Sequence, residues 1–139
     1  MNNQVLIDTN ILIYAIDRDS KFHDEALDLL NQPEVELFTT SKNISEFLVV
    51  LTRDPESQLS SLDCLDLMEA MLVDFSILFP SKISLEIMKR LIQKYQPKGL
   101  WIHDIEIASI GLAHGIPKIA TKNTRDFQRI EEIEVLSKW

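Results

Sequence analysis

The pattern that most restricts the fold of this chain is a repeated exchange between short apolar runs and longer stretches with helical spacing. Runs of strand character fall at residues 4–7, 36–39, 76–79, 118–121 and 134–136. Between them, apolar residues recur every three or four positions, the period of an amphipathic helix. Strands separated by helices return to the sheet by crossover rather than by hairpin, so they lie parallel. The expectation is an α/β fold: one domain over residues 1–139, with a central parallel sheet of about five strands and helices on both faces. Ligands of such sheets bind outside the carboxyl ends of the strands, where the strand order reverses.

The helices are predicted over 9–16, 22–31, 41–52, 60–72, 82–95 and 104–114. Ser41 is the expected N-cap of the third. Ser60-Ser61-Leu62-Asp63 has the form of a capping box with Asp in place of Glu. Gly115, followed by Pro117, is a left-handed stop for the sixth helix. Asn43, Glu46 and Val50 share one strip of the third helix, with Phe47, Leu48 and Leu51 on the opposite side. Glu46 is therefore expected at the border of the core, within reach of a cleft. Asp104, Ala108 and Gly111 form a similar strip, and its small residues favour close packing against a neighbour.

Composition removes several classes of function. The single Cys64 excludes an internal disulfide and a cysteine-rich zinc site, and it reads as a small buried hydrophobe. No signal peptide or membrane-spanning run is recognised, which makes a cytoplasmic protein the default. The net charge of −8 argues against a basic nucleic-acid binder. Local cations can still guide a nucleic acid, and Lys118, Lys122, Arg125 and Arg129 cluster near the C-terminal end.

Val5-Leu6-Ile7-Asp8 is an apolar strand that ends in a carboxylate. Glu46, Asp104 and Asp126 each fall at or near the start of a later element. Four carboxylates converging at the sheet rim form an oxygen donor set for a hard divalent cation, the usual catalyst of phosphodiester hydrolysis. Each acid also has a plain structural reading: helix caps for Asp8 and Asp104, a solvated helix position for Glu46, a turn or helix start for Asp126. Jointly they are far more specific. His103 reads as a packing or supporting residue rather than a ligand, since Mg²⁺ prefers oxygen. Trp101 and Trp139 read as core or interface groups.

These segments resemble the PIN-domain family, and within it the VapC-type ribonuclease toxins of toxin–antitoxin pairs. The resemblance rests on Ile7-Asp8-Thr9-Asn10-Ile11, Ser45-Glu46, His103-Asp104 with Ala108, Gly115-Ile116-Pro117, and Thr121-Lys122-Asn123-Thr124-Arg125-Asp126-Phe127. Ile133-Glu134-Val135-Leu136 resembles the family's last strand, so nearly the whole chain is covered. The resemblance implies a Mg²⁺- or Mn²⁺-dependent endoribonuclease with Asp8, Glu46 and Asp104 as its main acids. The family often has an acid where this chain has Asn123, and either Asp126 or Asn123 takes the fourth place. Asp8, Asp104 and Asp126 are the expected metal ligands, and Thr9, Asn10, Thr121 and Asn123 the supporting groups. An RNA substrate, a small antitoxin protein and a homodimer are the implied partners.

Two other readings compete. A phosphatase of the haloacid dehalogenase type also begins with a strand ending in Asp, but it needs a second Asp two residues later, where this chain has Asn10. A non-catalytic RNA- or protein-binding domain of the same fold would have lost the acids, which are present here.

Overall fold

The computed structural model describes residues 3–56 and 58–136. Strand β1 (Gln4–Ile7) leads directly into helix α1 (Thr9–Ile16), followed by α2 (His23–Leu30). Then come β2 (Glu36–Thr40), α3 (Ser41–Thr52), α4 (Ser61–Met71), a 3₁₀ turn at Leu72–Asp74 and β3 (Phe75–Leu78). The chain continues through α5 (Lys82–Tyr95), α6 (Trp101–Ala113), β4 (Lys118–Ala120), α7 (Thr124–Gln128) and β5 (Glu134–Leu136).

The strands form one parallel sheet in the order β3-β2-β1-β4-β5, as the alternation predicts. The order runs outward from β1 in both directions, so the switch point lies between β1 and β4. Alternation along β1 divides the core. Leu6 packs on one face with Ile105, Ile110, Ile119 and Phe127. Val5 and Ile7 pack on the other with Ile11, Leu12, Leu37 and Phe47. Cys64 is fully buried, as expected. Among the described residues no helix is long and apolar enough to cross a membrane.

Three local expectations are corrected. The N-cap of α3 is Thr40, not Ser41: its hydroxyl accepts from Asn43 N. The strand runs into the helix without a loop, so the last strand residue also serves as cap. Helix α6 begins at Trp101, three residues before the expected start, and Asp104 lies in its first turn. Gly99, at φ +63°, turns the chain early enough for Trp101 to enter the core. Of the two plain readings of Asp126, a turn or a helix start, the structure shows the second, since Asp126 lies in the first turn of α7. The five residues of α7 are too few for periodicity to identify. β3 also sits one residue earlier than predicted, which leaves Phe79 exposed. Trp139 lies outside the described residues.

The strip of small residues on α6 packs as expected. Ala108 is fully buried. A Cβ on Gly111 would meet Ile116 O at 2.9 Å and Leu6 Cδ2 at 3.1 Å. That close approach seats α6 against β1 and fixes the height of Asp104 over the sheet edge. Gly115 adopts φ +71° just after the helix, the predicted left-handed stop.

Candidate active site

Asp8 leaves the end of β1 at the switch point, where its backbone N–H donates to Ala120 O at 3.0 Å. Its side chain caps α1 and is almost wholly buried. Both carboxylate oxygens are occupied. Oδ1 accepts from Thr9 N at 2.9 Å and Asn43 Nδ2 at 3.1 Å. Oδ2 accepts from Thr121 Oγ1 at 2.7 Å and Asn10 Nδ2 at 3.4 Å. Donors from α1, α3 and the end of β4 thus hold one carboxylate in one orientation. The cap reading and the cleft reading of Asp8 are both correct.

The supporting residues link the other walls. Thr9 Oγ1 donates to Glu46 Oε2 at 3.0 Å, which ties Glu46 on α3 to the start of α1. Asn10 Nδ2 donates to Thr121 Oγ1 at 3.2 Å, and Asn10 Oδ1 accepts from Lys122 N at 3.3 Å. Asn123 N donates to Thr121 Oγ1 at 2.9 Å. Asn10 therefore clips the first turn of α1 to the segment that follows β4, a role an acid at this position would disturb.

Asn43 is the supporting residue that sequence reasoning missed. It is fully buried, donates to Asp8 and to Thr9 Oγ1, and accepts from Thr40 Oγ1 at 2.6 Å. The available signal was its place three residues before Glu46 on the same helical strip.

Asp8, Glu46, Asp104, Asn123 and Asp126 line one open cleft of about 680 Å³. The four acids expected to converge do so. Glu46 is exposed and Asp104 and Asp126 are partly buried, whereas Asp8 forms the floor. Asp126 stands on α7, whose backbone is fixed by Trp101 Nε1 donating to Asp126 O at 3.0 Å. Arg129 stacks 3.6 Å from the centre of the Trp101 ring, and its Nη1 lies 3.8 Å from Asp126 Oδ1. Trp101 is thus a core group, as expected. His103 is not: it is exposed on the cleft rim rather than packed. Of the expected basic cluster, Lys122 pairs with Glu25 at 2.8 Å and covers the Phe22 ring. Lys122 and Arg129 are thereby engaged in holding the loops of the site.

The electrostatics reflect crowding of like charges. Burial pushes the Asp8 carboxyl up to about 6, with a further push from Glu46; donors from Thr121, Thr9 and Asn43 oppose the rise. Asp104 is raised to about 7, first by burial, then by the charges on Asp8, Asp126 and Glu46. Among the described residues neither Asp8, Glu46 nor Asp104 forms an ion pair. This donor chemistry fits a hard divalent cation: oxygen only, several carboxylates, one of them rigid. The fit is open rather than closed, because among the described residues no three acid, histidine or cysteine side chains stand close enough together to hold an ion by themselves. Water would complete the coordination, which Mg²⁺ commonly retains.

No curated protein sequence matches the chain. Solved structures of similar fold include VapBC-1 from nontypeable Haemophilus influenzae, with a TM-score of 0.71 at 20% identity, covering 96% of each chain. A toxin–antitoxin complex from Klebsiella pneumoniae has a TM-score of 0.69 at 23% identity, over 97% of this chain and 98% of that one. The Mycobacterium tuberculosis toxin VapC20, which cleaves the sarcin–ricin loop, has a TM-score of 0.67 at 12% identity, over 91% and 95%. At these identities the likeness establishes the fold. The PIN domain family model matches residues 5–133, nearly the whole chain, and the protein therefore belongs to the PIN domain family.

Proposed function

We propose that this protein is a metal-dependent endoribonuclease that hydrolyses RNA phosphodiester bonds, and that it is the toxin of a type II toxin–antitoxin pair. The observation that carries the reading is the cleft itself. Four acids line one cleft at the switch point of the sheet, and three of them have no cation partner among the described residues. Raised proton affinities on Asp8 and Asp104 indicate a site that gains from positive charge. The likeness to toxin–antitoxin complexes and to a toxin that cleaves the sarcin–ricin loop supports the biological role.

Asp8, Asp104 and Asp126 would hold Mg²⁺ or Mn²⁺, directly or through water. Bound there, the ion would lower the pKa of a water molecule and offset charge on the phosphate. Asp8 supplies rigidity, because four donors hold its carboxylate. Glu46, fixed on one oxygen by Thr9, keeps its other oxygen available to orient the attacking water or take its proton. Asn123, beside Asp126 in the cleft, offers an amide that can orient water. Water attacks phosphorus, the bond to the leaving oxygen breaks, and a proton passes to that oxygen. Because water rather than the 2′-hydroxyl attacks, no cyclic phosphate forms. A small antitoxin would place a basic group among the carboxylates, and a homodimer is proposed from the family's habit.

The test is incubation of a mixed structured-RNA pool with the purified protein, in Mg²⁺ or Mn²⁺ and in chelator, beside Asp8→Asn. Cleavage that needs metal, is lost in the variant and yields no cyclic phosphate is the expected result. Absence of both cleavage and metal binding would leave an RNA- or protein-binding domain as the better account.

A further inference from the structure

The cleft is strongly acidic, yet on the ribonuclease reading it must admit a polyanion. Among the described residues that line it, Lys42 is the only lysine or arginine. Lys42 stands one turn before Glu46 on α3, so both side chains project from the same strip of the helix. Its Nζ pairs with Glu106 Oε1 at 3.1 Å, and both side chains are partly exposed, at 26% and 30%. Glu106 lies on α6 two residues beyond Asp104. The pair thus links the two helices that carry Glu46 and Asp104.

We propose that Lys42 is the substrate-binding cation of the cleft: it contacts an RNA backbone phosphate beside the four acids, exchanging its contact with Glu106 for the phosphate. This inference rests on the ribonuclease reading and adds a residue to it. An ammonium has three N–H donors, and Glu106 is the one partner of Lys42 Nζ among the described residues. A phosphate can therefore engage Lys42 without first breaking a closed network. The partly exposed pair is also a weak one, so exchanging or sharing the carboxylate for phosphate costs little. Of the basic residues that sequence placed near the site, Lys122 and Arg129 are less suited to this task, since they are engaged with Glu25 and Phe22 and with Trp101 and Asp126.

The experiment is fluorescence anisotropy of a short labelled single-stranded RNA of mixed sequence, across a series of salt concentrations. Ca²⁺ replaces Mg²⁺, because it takes oxygen ligands but polarises them less. Lys42→Met, Lys42→Arg and Glu106→Gln are compared with the unaltered protein, and thermal melts confirm that each is folded. Lys42→Met should weaken RNA binding about tenfold at low salt, the worth of one charged hydrogen bond. It should also reduce the slope of log K against log salt by about 0.7, one phosphate contact on a single strand. Lys42→Arg should retain both quantities, and Glu106→Gln should bind RNA at least as tightly as the unaltered protein. Equal losses in Lys42→Met and Glu106→Gln would mean that the pair only braces α3 against α6, and would overturn the proposal. So would an unchanged affinity and slope in Lys42→Met while the unaltered protein binds RNA and cleaves it in Mn²⁺. If the unaltered protein neither binds RNA nor cleaves it in Mn²⁺, the ribonuclease reading fails and this inference falls with it.

Discussion

Replacing Asp8 by asparagine is expected to stabilise the metal-free protein near pH 8 while removing its response to metal. Burial raises the Asp8 carboxyl from 3.8 to about 6. The folded chain therefore binds this proton more tightly than the unfolded chain does. The contribution to stability is complete below pH 3.8 and is lost as pH rises through about 6. About two pKa units correspond to roughly 3 kcal/mol of lost stability at pH 8. Asparagine has nearly the same shape and no charge. Its carbonyl can accept from Thr9 N and Asn43 Nδ2, which Oδ1 accepts now. Its amide then faces Thr121 Oγ1, which already accepts from Asn10 Nδ2 and Asn123 N. A hydroxyl has two acceptor lone pairs, so the bonds that Oδ2 accepts from Thr121 Oγ1 and Asn10 Nδ2 are both lost, at a cost of about 2 kcal/mol. The net gain is about 1 kcal/mol, or about 3 °C in Tm for a chain of this size. Removing the Asp8 charge also relieves Asp104, which adds to the gain. The assay is thermal melting of both proteins in chelator at pH 8 and below pH 5, then with Mn²⁺ at pH 8. The variant should melt higher at pH 8, the difference should shrink or reverse in acid, and only the unaltered protein should gain from Mn²⁺. A variant that melts lower at pH 8, or a difference that does not change with pH, would refute the argument that Asp8 is a destabilising charge held in place for a ligand.

Asn43→Ala should cost about 2–4 kcal/mol in urea unfolding, because it empties a fully buried site and strips partners from Thr40, Thr9 and Asp8. A loss under about 1 kcal/mol would show that water replaces the amide without penalty. Gly111→Ala should destabilise by about 1–3 kcal/mol despite alanine's better helix propensity, since its Cβ meets backbone Ile116 O at 2.9 Å. An increase in stability on urea titration would mean that α6 can move away from β1 freely.

The sheet and its helices were legible in the sequence because their periods are local. Alternation along β1 and helical spacing along α5 and α6 are written in neighbouring residues, and the turn glycine Gly115 declares its own conformation. Asp8, Glu46, Asp104 and Asp126, the acids that line the cleft, could be picked out in the sequence by their positions at element ends. Their convergence was decided only by tertiary structure. Strand order is a long-range property, and β1 comes to lie beside β4, with more than a hundred residues between them, because burying Leu6 and Ile119 on one face requires it. That adjacency makes Thr121 a partner of both Asp8 and Asn10. The pairing of β1 with β2 makes Asn43, unremarkable by composition, the hub between Asp8 and Thr40. The same reason explains the errors. Thr40 displaces Ser41 as cap, and α6 starts at Trp101, because packing sets where a helix begins when several residues nearby could begin it. Residue chemistry fixes which groups can meet a cation or a phosphate; only the folded sheet decides which of them share one cleft.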